Sequence, residues 1–154
     1  MIRPVPKPVK EKKKRNKVAK SKSRGLSDSN LQDKWRKVVL LKFGNCCFFC
    51  GKPKGQVEIE CHHLVKRKTL LLRHDWRNGI PVCKFGCHSY AETPTGKHLI
   101  DVHIDRYRDY LQERSGQAHD WFVSHNVTRN EFLRSMLDDL NAQLELNDYN
   151  NLAF

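Results

Sequence analysis

Cys47, Cys50, Cys83 and Cys87 bracket a His62-His63 pair, Asn78 and His88, and the two kinds of donor suit different work. Thiolates are soft ligands that close a tetrahedron around Zn²⁺, whereas imidazole is the commoner ligand where a metal keeps open positions for chemistry. Cys47-Phe48-Phe49-Cys50-Gly51 is a tight knuckle that aims two sulfurs at one point. Cys83-Lys84-Phe85-Gly86-Cys87 supplies a second pair, with one residue more between its cysteines. This spacing predicts one structural zinc. Cys46 and Cys61 are left over. Cys46 can in principle replace Cys47, although only Cys47 gives the two-residue gap that ends in Cys-Gly. A His-His pair beside a cysteine can itself complete a Cys2His2 or Cys3His site, but four paired cysteines already satisfy one Zn²⁺ and leave His62, His63 and His88 for other work. His74, His98, His103, His119 and His125 show no such pattern and read as surface or packing residues, His74 being the nearest to the motif.

The order Cys-Cys, His-His, Asn, Cys-Cys-His resembles that of the HNH endonucleases of the ββα-metal superfamily, over roughly Cys47 to Tyr90. Glu58-Ile59-Glu60-Cys61-His62-His63-Leu64 is similar to that family's first strand with its His-His end. Asn78-Gly79-Ile80-Pro81-Val82-Cys83 is similar to its Asn-strand-Cys segment, and Cys87-His88 to the Cys-His that opens its short helix. The resemblance implies that His63 is the general base that deprotonates an attacking water and that His62 and His88 hold one divalent cation. An imidazole with an ordinary pKa of about 6.5 suits the base role near neutral pH. Asn78 is implied as a positioning residue, because a side-chain amide that both donates and accepts can pin the loop carrying His63. In the family the place of His62 is often an Asp, which implies Mg²⁺ or Mn²⁺ as the catalytic cation. An imidazole pair also accepts Ni²⁺, Co²⁺ or Zn²⁺.

A further similarity of order, from about Asp33 to Leu144, is to the NinG/Rap recombination nucleases of lambdoid phages, which act on branched DNA. It rests on Asp33-Lys34-Trp35-Arg36-Lys37 before the first knuckle, Leu72-Arg73 ahead of the Asn-to-Cys step, and helices after the Cys-His end. The chain differs in carrying His62 where that group usually has a small residue, in its longer second knuckle and in its lysine-rich start.

A length of 154 residues at 38% hydrophobic content supports about one domain. A ββα unit of this size buries little apolar surface, so a metal staple belongs there. No run of about 18 apolar residues and no apolar segment after the charged start argues for membrane insertion or export. The expected compartment is therefore the reducing cytoplasm, where cysteines stay thiolate ligands. The net charge of +12 is concentrated: eleven of the 29 Lys and Arg fall in the first 24 residues, against Glu11 alone. With Lys12, Lys13, Lys14 and Arg15 in one run and no hydrophobic period, that arm is expected to be disordered alone and to bind phosphates by counterion release. A basic run of this kind also serves as a solubilising or localisation tail, and it does not tell DNA from RNA.

Three segments follow: an arm over 1–26, a zinc-bound core with its leading helix over 27–92, and a helical extension over 93–154. Ser27 to Phe43 predicts a helix with Ser29 and Gln32 at capping-box spacing and Leu31, Trp35, Val38 and Val39 on one face. Val57 to Leu64 and Gly79 to Val82 predict paired strands, and a short helix should begin near Cys87. The intervening loop carries Lys66, Arg67, Lys68 and Arg73, which can hold a strand's phosphates or form an ordinary solvated loop. Pro94-Thr95-Gly96 is expected to break the chain before a helix from Lys97 to about Arg114, with Ile100, Ile104, Tyr107 and Leu111 on one stripe. Thr128 and Glu131 predict a capping box before a helix with Leu133, Met136, Leu137, Leu140 and Leu144 in phase.

The expectation is an α+β fold with a zinc-stapled ββα core, acting as a metal-dependent HNH endonuclease on duplex or branched DNA. The alternatives are a non-catalytic zinc-bound DNA-binding protein and a site-specific restriction or homing type nuclease. Cutting both strands would need a homodimer or sequential nicking.

Overall fold

The computed structural model describes residues 26–116 and 118–152. Helix α1 (Asp28–Lys42) starts where the Ser27 hydroxyl accepts a hydrogen bond from the Asn30 amide at 3.2 Å. Ser27, not Ser29, is therefore the cap: Ser29 lies inside the first turn, and Asp28 there complements the helix dipole. The stripe Leu31, Trp35, Val38 and Val39 is buried as its spacing predicts, and Leu140 of the last helix, α6 (Arg129–Leu152), completes that cluster.

The sheet has two antiparallel strands, β1 (Ile59–His63) and β2 (Gly79–Cys83), in a register that sets His62 opposite Ile80 and His63 opposite Gly79. Both are shorter than or close to the predicted runs, because residues beyond them find other partners: the Val57 amide bonds back to Pro53, and the Leu64 amide goes to the Asn78 carbonyl. Pro81 loses nothing by lacking an N–H, since its carbonyl points to the outer edge and accepts from the Phe48 amide of the first knuckle at 2.8 Å. Helix α2 (Cys87–Ala91) follows, and Ala91 packs with Ile80, Val82 and Ile100 in a second cluster.

The predicted long helix from Lys97 is two helices, and its start differs. Thr93 caps α3 (Pro94–His103) through a 3.1 Å bond from the Gly96 amide, and Pro94 occupies the first helical position, where its missing N–H costs nothing. A 3₁₀ turn over Asp105–Tyr107 then separates α3 from α4 (Arg108–Ser115). The break lets Tyr107 meet Trp76 edge to face and brings the Tyr110 hydroxyl to Asp75, contacts that continuous helix phase does not fix in advance. Helix α5 (Ala118–Ser124) had no sequence expectation. The capping box before α6 is formed: the Thr128 amide donates to the Glu131 carboxylate at 2.8 Å, and the Glu131 amide donates to the Thr128 hydroxyl at 3.3 Å.

A third apolar cluster joins Leu71 of the β1–β2 connection to Phe132 and Met136 of α6, with Trp121 and Phe122 of α5 packed against it. The C-terminal helices thus lie on α1 and on the connection that precedes Asn78. Among the described residues no helix is long and apolar enough to cross a membrane.

Gly79 marks the close approach of α1 to β2. A Cβ there would stand 2.5 Å from the Trp35 indole and 2.9 Å from Val39, both buried side chains that cannot retreat. Gly79→Ala should destabilise the fold by about 1–3 kcal/mol, read as a lowered urea midpoint with an unchanged slope. An unperturbed midpoint would refute this packing of α1 on β2.

Candidate functional site

The four cysteine sulfurs of Cys47, Cys50, Cys83 and Cys87 lie within 4.8 Å of one another, and Cys50 and Cys83 approach to 3.4 Å. A tetrahedron with metal–sulfur bonds of about 2.3 Å has edges of about 3.8 Å, so the cluster has the dimensions of a tetrathiolate site and can hold a metal. Cys50 and Cys83 are too far apart for a disulfide, whose S–S bond is about 2.0 Å. Two backbone devices build the cluster. The Gly51 amide closes the first knuckle onto the Cys47 carbonyl at 2.9 Å, and Gly86, at φ 89°, makes the extra turn that the longer second knuckle needs before Cys87 opens α2.

Burial raises the Cys47 thiol, but amide donors from Cys50, Cys83 and Phe49 outweigh it and hold the group at about 7. Burial and the crowding of neighbouring sulfurs push Cys83 to about 12 and Cys87 to about 11. Cys47 is thus ready as a thiolate, while Cys83 and Cys87 resist ionisation until a cation compensates them. Cys46 and Cys61 stand apart: Cys46 lies against the Gly44 carbonyl, and Cys61 packs on α1, where burial pushes its thiol up to about 12.

At the other end of the hairpin the histidines diverge. Neighbours in a strand point to opposite faces, and His62 turns toward α2 while His63 turns toward α1. The His62 Nδ1 and His88 Nε2 atoms are 3.1 Å apart. Two ligands at right angles, each about 2.1 Å from one ion, are separated by about 3 Å, so the separation of this pair, which here is also a hydrogen-bond distance, matches that of two ligands of one cation. Their far nitrogens face carboxylates, His62 Nε2 at 3.5 Å from Glu92 and His88 Nδ1 at 3.8 Å from Glu60. Burial, opposed by Glu92, lowers the pKa of His62 and favours the neutral ring that binds metals.

His63 stacks on Trp35 with ring centroids 4.0 Å apart and planes 9° from parallel. Its Nε2 lies 2.9 Å from the Arg73 carbonyl. A carbonyl only accepts, so Nε2 carries the proton and Nδ1 of the neutral ring keeps the lone pair. Burial lowers the His63 pKa, with the Arg73 carbonyl opposing it. The ring is therefore neutral, oriented and able to take a proton at Nδ1.

Asn78 is fully buried and uses its whole amide. It donates from Nδ2 to the Val65 and Leu72 carbonyls, each at 3.0 Å, and accepts at Oδ1 from the Val65 amide at 2.6 Å. These bonds close the connection between the strands at both ends, fixing the loop whose Arg73 carbonyl holds His63. Trp35 adds a brace that its helical spacing alone did not reveal: its indole N–H donates to the Asp75 carbonyl at 2.8 Å while its face supports His63. Asp75 is itself buried and bonded by Arg77 at 2.9 and 3.0 Å and by the Tyr110 hydroxyl.

Of the predicted phosphate contacts, Lys66 lines a cleft of about 350 Å³ together with His62, His63, Glu92, Lys97 and Asp101. Lys68 is exposed. Arg67 and Arg73 instead pair with Asp28 at the start of α1, at 2.9 and 3.2 Å, which ties the loop to that helix and partly commits their charge. Lys12, Lys13, Lys14 and Arg15 lie outside the described residues. His74, read as surface or packing, is a buried partner of Asp28 at 3.1 Å.

No protein-family model, no curated protein and no solved structure gives a significant match to this chain. The site's chemistry therefore rests on its own residues.

Purified protein should carry one tightly held metal ion per chain, and a strong chelator should unfold it, read as lost helical signal in circular dichroism together with released metal. Cys83→Ser should purify without that ion; full occupancy in the variant would sink the assignment. A pH effect follows from His74, whose pKa burial lowers against the pull of Asp28. Below its unfolded value of about 6.5 the unfolded chain takes a proton that the folded chain refuses, so stability is full above that pH and falls below it. Tm should drop from pH 7 toward pH 5, with a shallower drop in His74→Gln; equal slopes would contradict this.

Proposed function

We propose that this protein is a zinc-stapled, metal-dependent endonuclease of the HNH type that hydrolyses DNA phosphodiester bonds. The observation that carries the proposal is the placement of His63. It is held by the Arg73 carbonyl and the Trp35 face, with Nδ1 left to accept a proton, beside a His62–His88 pair at cation-binding separation. His62 and His63 line a cleft with Lys66 and Lys97.

In this reading the four cysteines hold Zn²⁺ as a purely structural ion, since a closed thiolate shell leaves no position for substrate. His62 and His88 bind one divalent cation, Mg²⁺ or Mn²⁺ by the family resemblance, which when bound neutralises charge on the phosphorane and on the departing 3′ oxygen. His63 Nδ1 takes a proton from water as the water oxygen bonds to phosphorus. The bond from phosphorus to the 3′ oxygen then breaks, and that oxygen takes a proton from solvent water, leaving 5′-phosphate and 3′-hydroxyl ends. Lys66 positions the strand through its phosphates and chooses no sequence. Asn78 and Trp35 act through His63, by holding the loop and the ring. A branched substrate is the form that the similarity to phage recombination nucleases suggests.

Zinc-loaded protein incubated with supercoiled plasmid, linear duplex, single strand and four-way junction in Mg²⁺ or Mn²⁺ should cleave at least one of them. His63→Ala should lose at least about 100-fold in rate, the scale of a general base, while keeping its zinc, its melting temperature and its DNA affinity. Binding without cleavage under every metal would favour a zinc-bound DNA-binding module, and unfolding of His63→Ala would make the ring structural.

A further inference from the structure

A second cavity, of about 290 Å³, lies along β2 and is separated from the histidine cleft by Ile104, which lines both. Its walls include Lys42 from the end of α1, Trp76 and Arg77 from the turn before β2, and Arg106 and Tyr107 from the turn before α4. Among the described residues no carboxylate lines it, whereas the histidine cleft carries Glu92 and Asp101. Asp75 already compensates the Arg77 charge at 2.9 Å. Lys42 and Arg106 are exposed and form no ion pair with a described residue; each instead rests over an aromatic ring, Lys42 at 4.9 Å over Trp76 and Arg106 at 4.7 Å over Tyr107. The two rings meet edge to face at 5.8 Å and 85°, so they form a corner and not a filled stack.

Uncompensated cations over flat rings define a ligand that is planar, polarisable and anionic. A single nucleotide has those properties: its base can stack on an indole or on a guanidinium plane, and its phosphate can take the ammonium. The cavity is at the small end of ligand pockets, which begin at about 300 Å³, so it suits one nucleotide and excludes a stacked base pair. Lysine is a flexible point charge and can leave the Trp76 face for a phosphate, while Arg106 can cover a base lying against Tyr107.

We propose that this pocket receives one unpaired nucleotide of a DNA strand whose neighbouring phosphate lies in the histidine cleft. The proposal rests on the nuclease reading and narrows its substrate class to DNA with an unpaired nucleotide close to the cut, as at a branch, gap or free end. The register supports the adjacency, because Gly79 and Ile80 on the pocket wall are the strand partners of His63 and His62.

The test is binding without cleavage: fluorescence anisotropy of zinc-loaded full-length protein, without added Mg²⁺ or Mn²⁺, against a labelled single strand and the same sequence as a blunt duplex. Moderate salt suppresses the contribution of the basic arm. Lys42→Ala combined with Arg106→Ala, and separately Tyr107→Leu, which keeps apolar bulk and loses the ring, should each weaken single-strand binding by about tenfold, the scale of one stacked base. Duplex affinity and melting temperature should not change. Equal losses on single strand and duplex would reduce the pocket to generic phosphate attraction and overturn the proposal, as would no loss on either. Free thymidine 5′-monophosphate is the second probe: competition for single strand by wild type but not by Tyr107→Leu supports a mononucleotide pocket, and identical competition curves for both proteins refute it. These readouts do not involve His63, so the pocket can fail while cleavage stands, and cleavage can fail while the pocket stands.

Discussion

A pair of strands only five residues long cannot hold its shape in water, and the rest of this molecule depends on how that pair is braced. The braces sit at its two ends and on its two faces. At the Ile59–Cys83 end the two knuckles bring four sulfurs together, and the Lys84 amide extends the ladder to the Glu58 carbonyl at 2.9 Å. At the His63–Gly79 end Asn78 closes the loop through three side-chain bonds. Trp35 of α1 covers one face, while Ala91 and Ile100 of α2 and α3 cover the other. Each brace is local, and their sum fixes the hairpin and the imidazole of His63 in place.

The same bracing sets two kinds of donor at opposite ends. Four cysteine sulfurs gather at the Ile59–Cys83 end, and His62 and His63 stand at the end that faces a cleft. Strand alternation lets adjacent residues serve different purposes, so that His62 reaches His88 while His63 leans on α1. The C-terminal helices enter through Leu71, which they bury against Phe132 and Met136. They are thereby coupled to the loop whose Arg73 carbonyl sets the tautomer of His63. Side chains more than fifty residues apart in sequence thus converge on the orientation of one imidazole.

Much of this was legible in the chain. Four cysteines in two short gaps announced their cluster because ligands held by tight turns have few other places to go. The stripe of α1 and the Thr128–Glu131 box were readable because helical period and capping depend on neighbours three and four residues away. The expectations that moved were those set by distant partners. The single helix expected from Lys97 is broken where Tyr107 and Tyr110 reach Trp76 and Asp75. Spacing also did not show that Arg67 and Arg73, read as phosphate contacts, pair with Asp28 at the start of α1. The cap of α1 shifted by two residues from Ser29 to Ser27, a choice between two nearby hydroxyl acceptors that spacing does not resolve.

The sequence by itself determined the donor chemistry: which residues can bind a soft metal, which can move a proton, and which stretches can pair or coil. Those properties belong to side-chain type and short-range spacing. Tertiary structure alone decided that Trp35 supports His63, that Asn78 spends its whole amide on the loop, and that Lys42 and Arg106 line a cavity without a carboxylate among the described residues. These depend on the docking of α1 and α4 against the hairpin, and packing between distant segments has no period that a sequence displays.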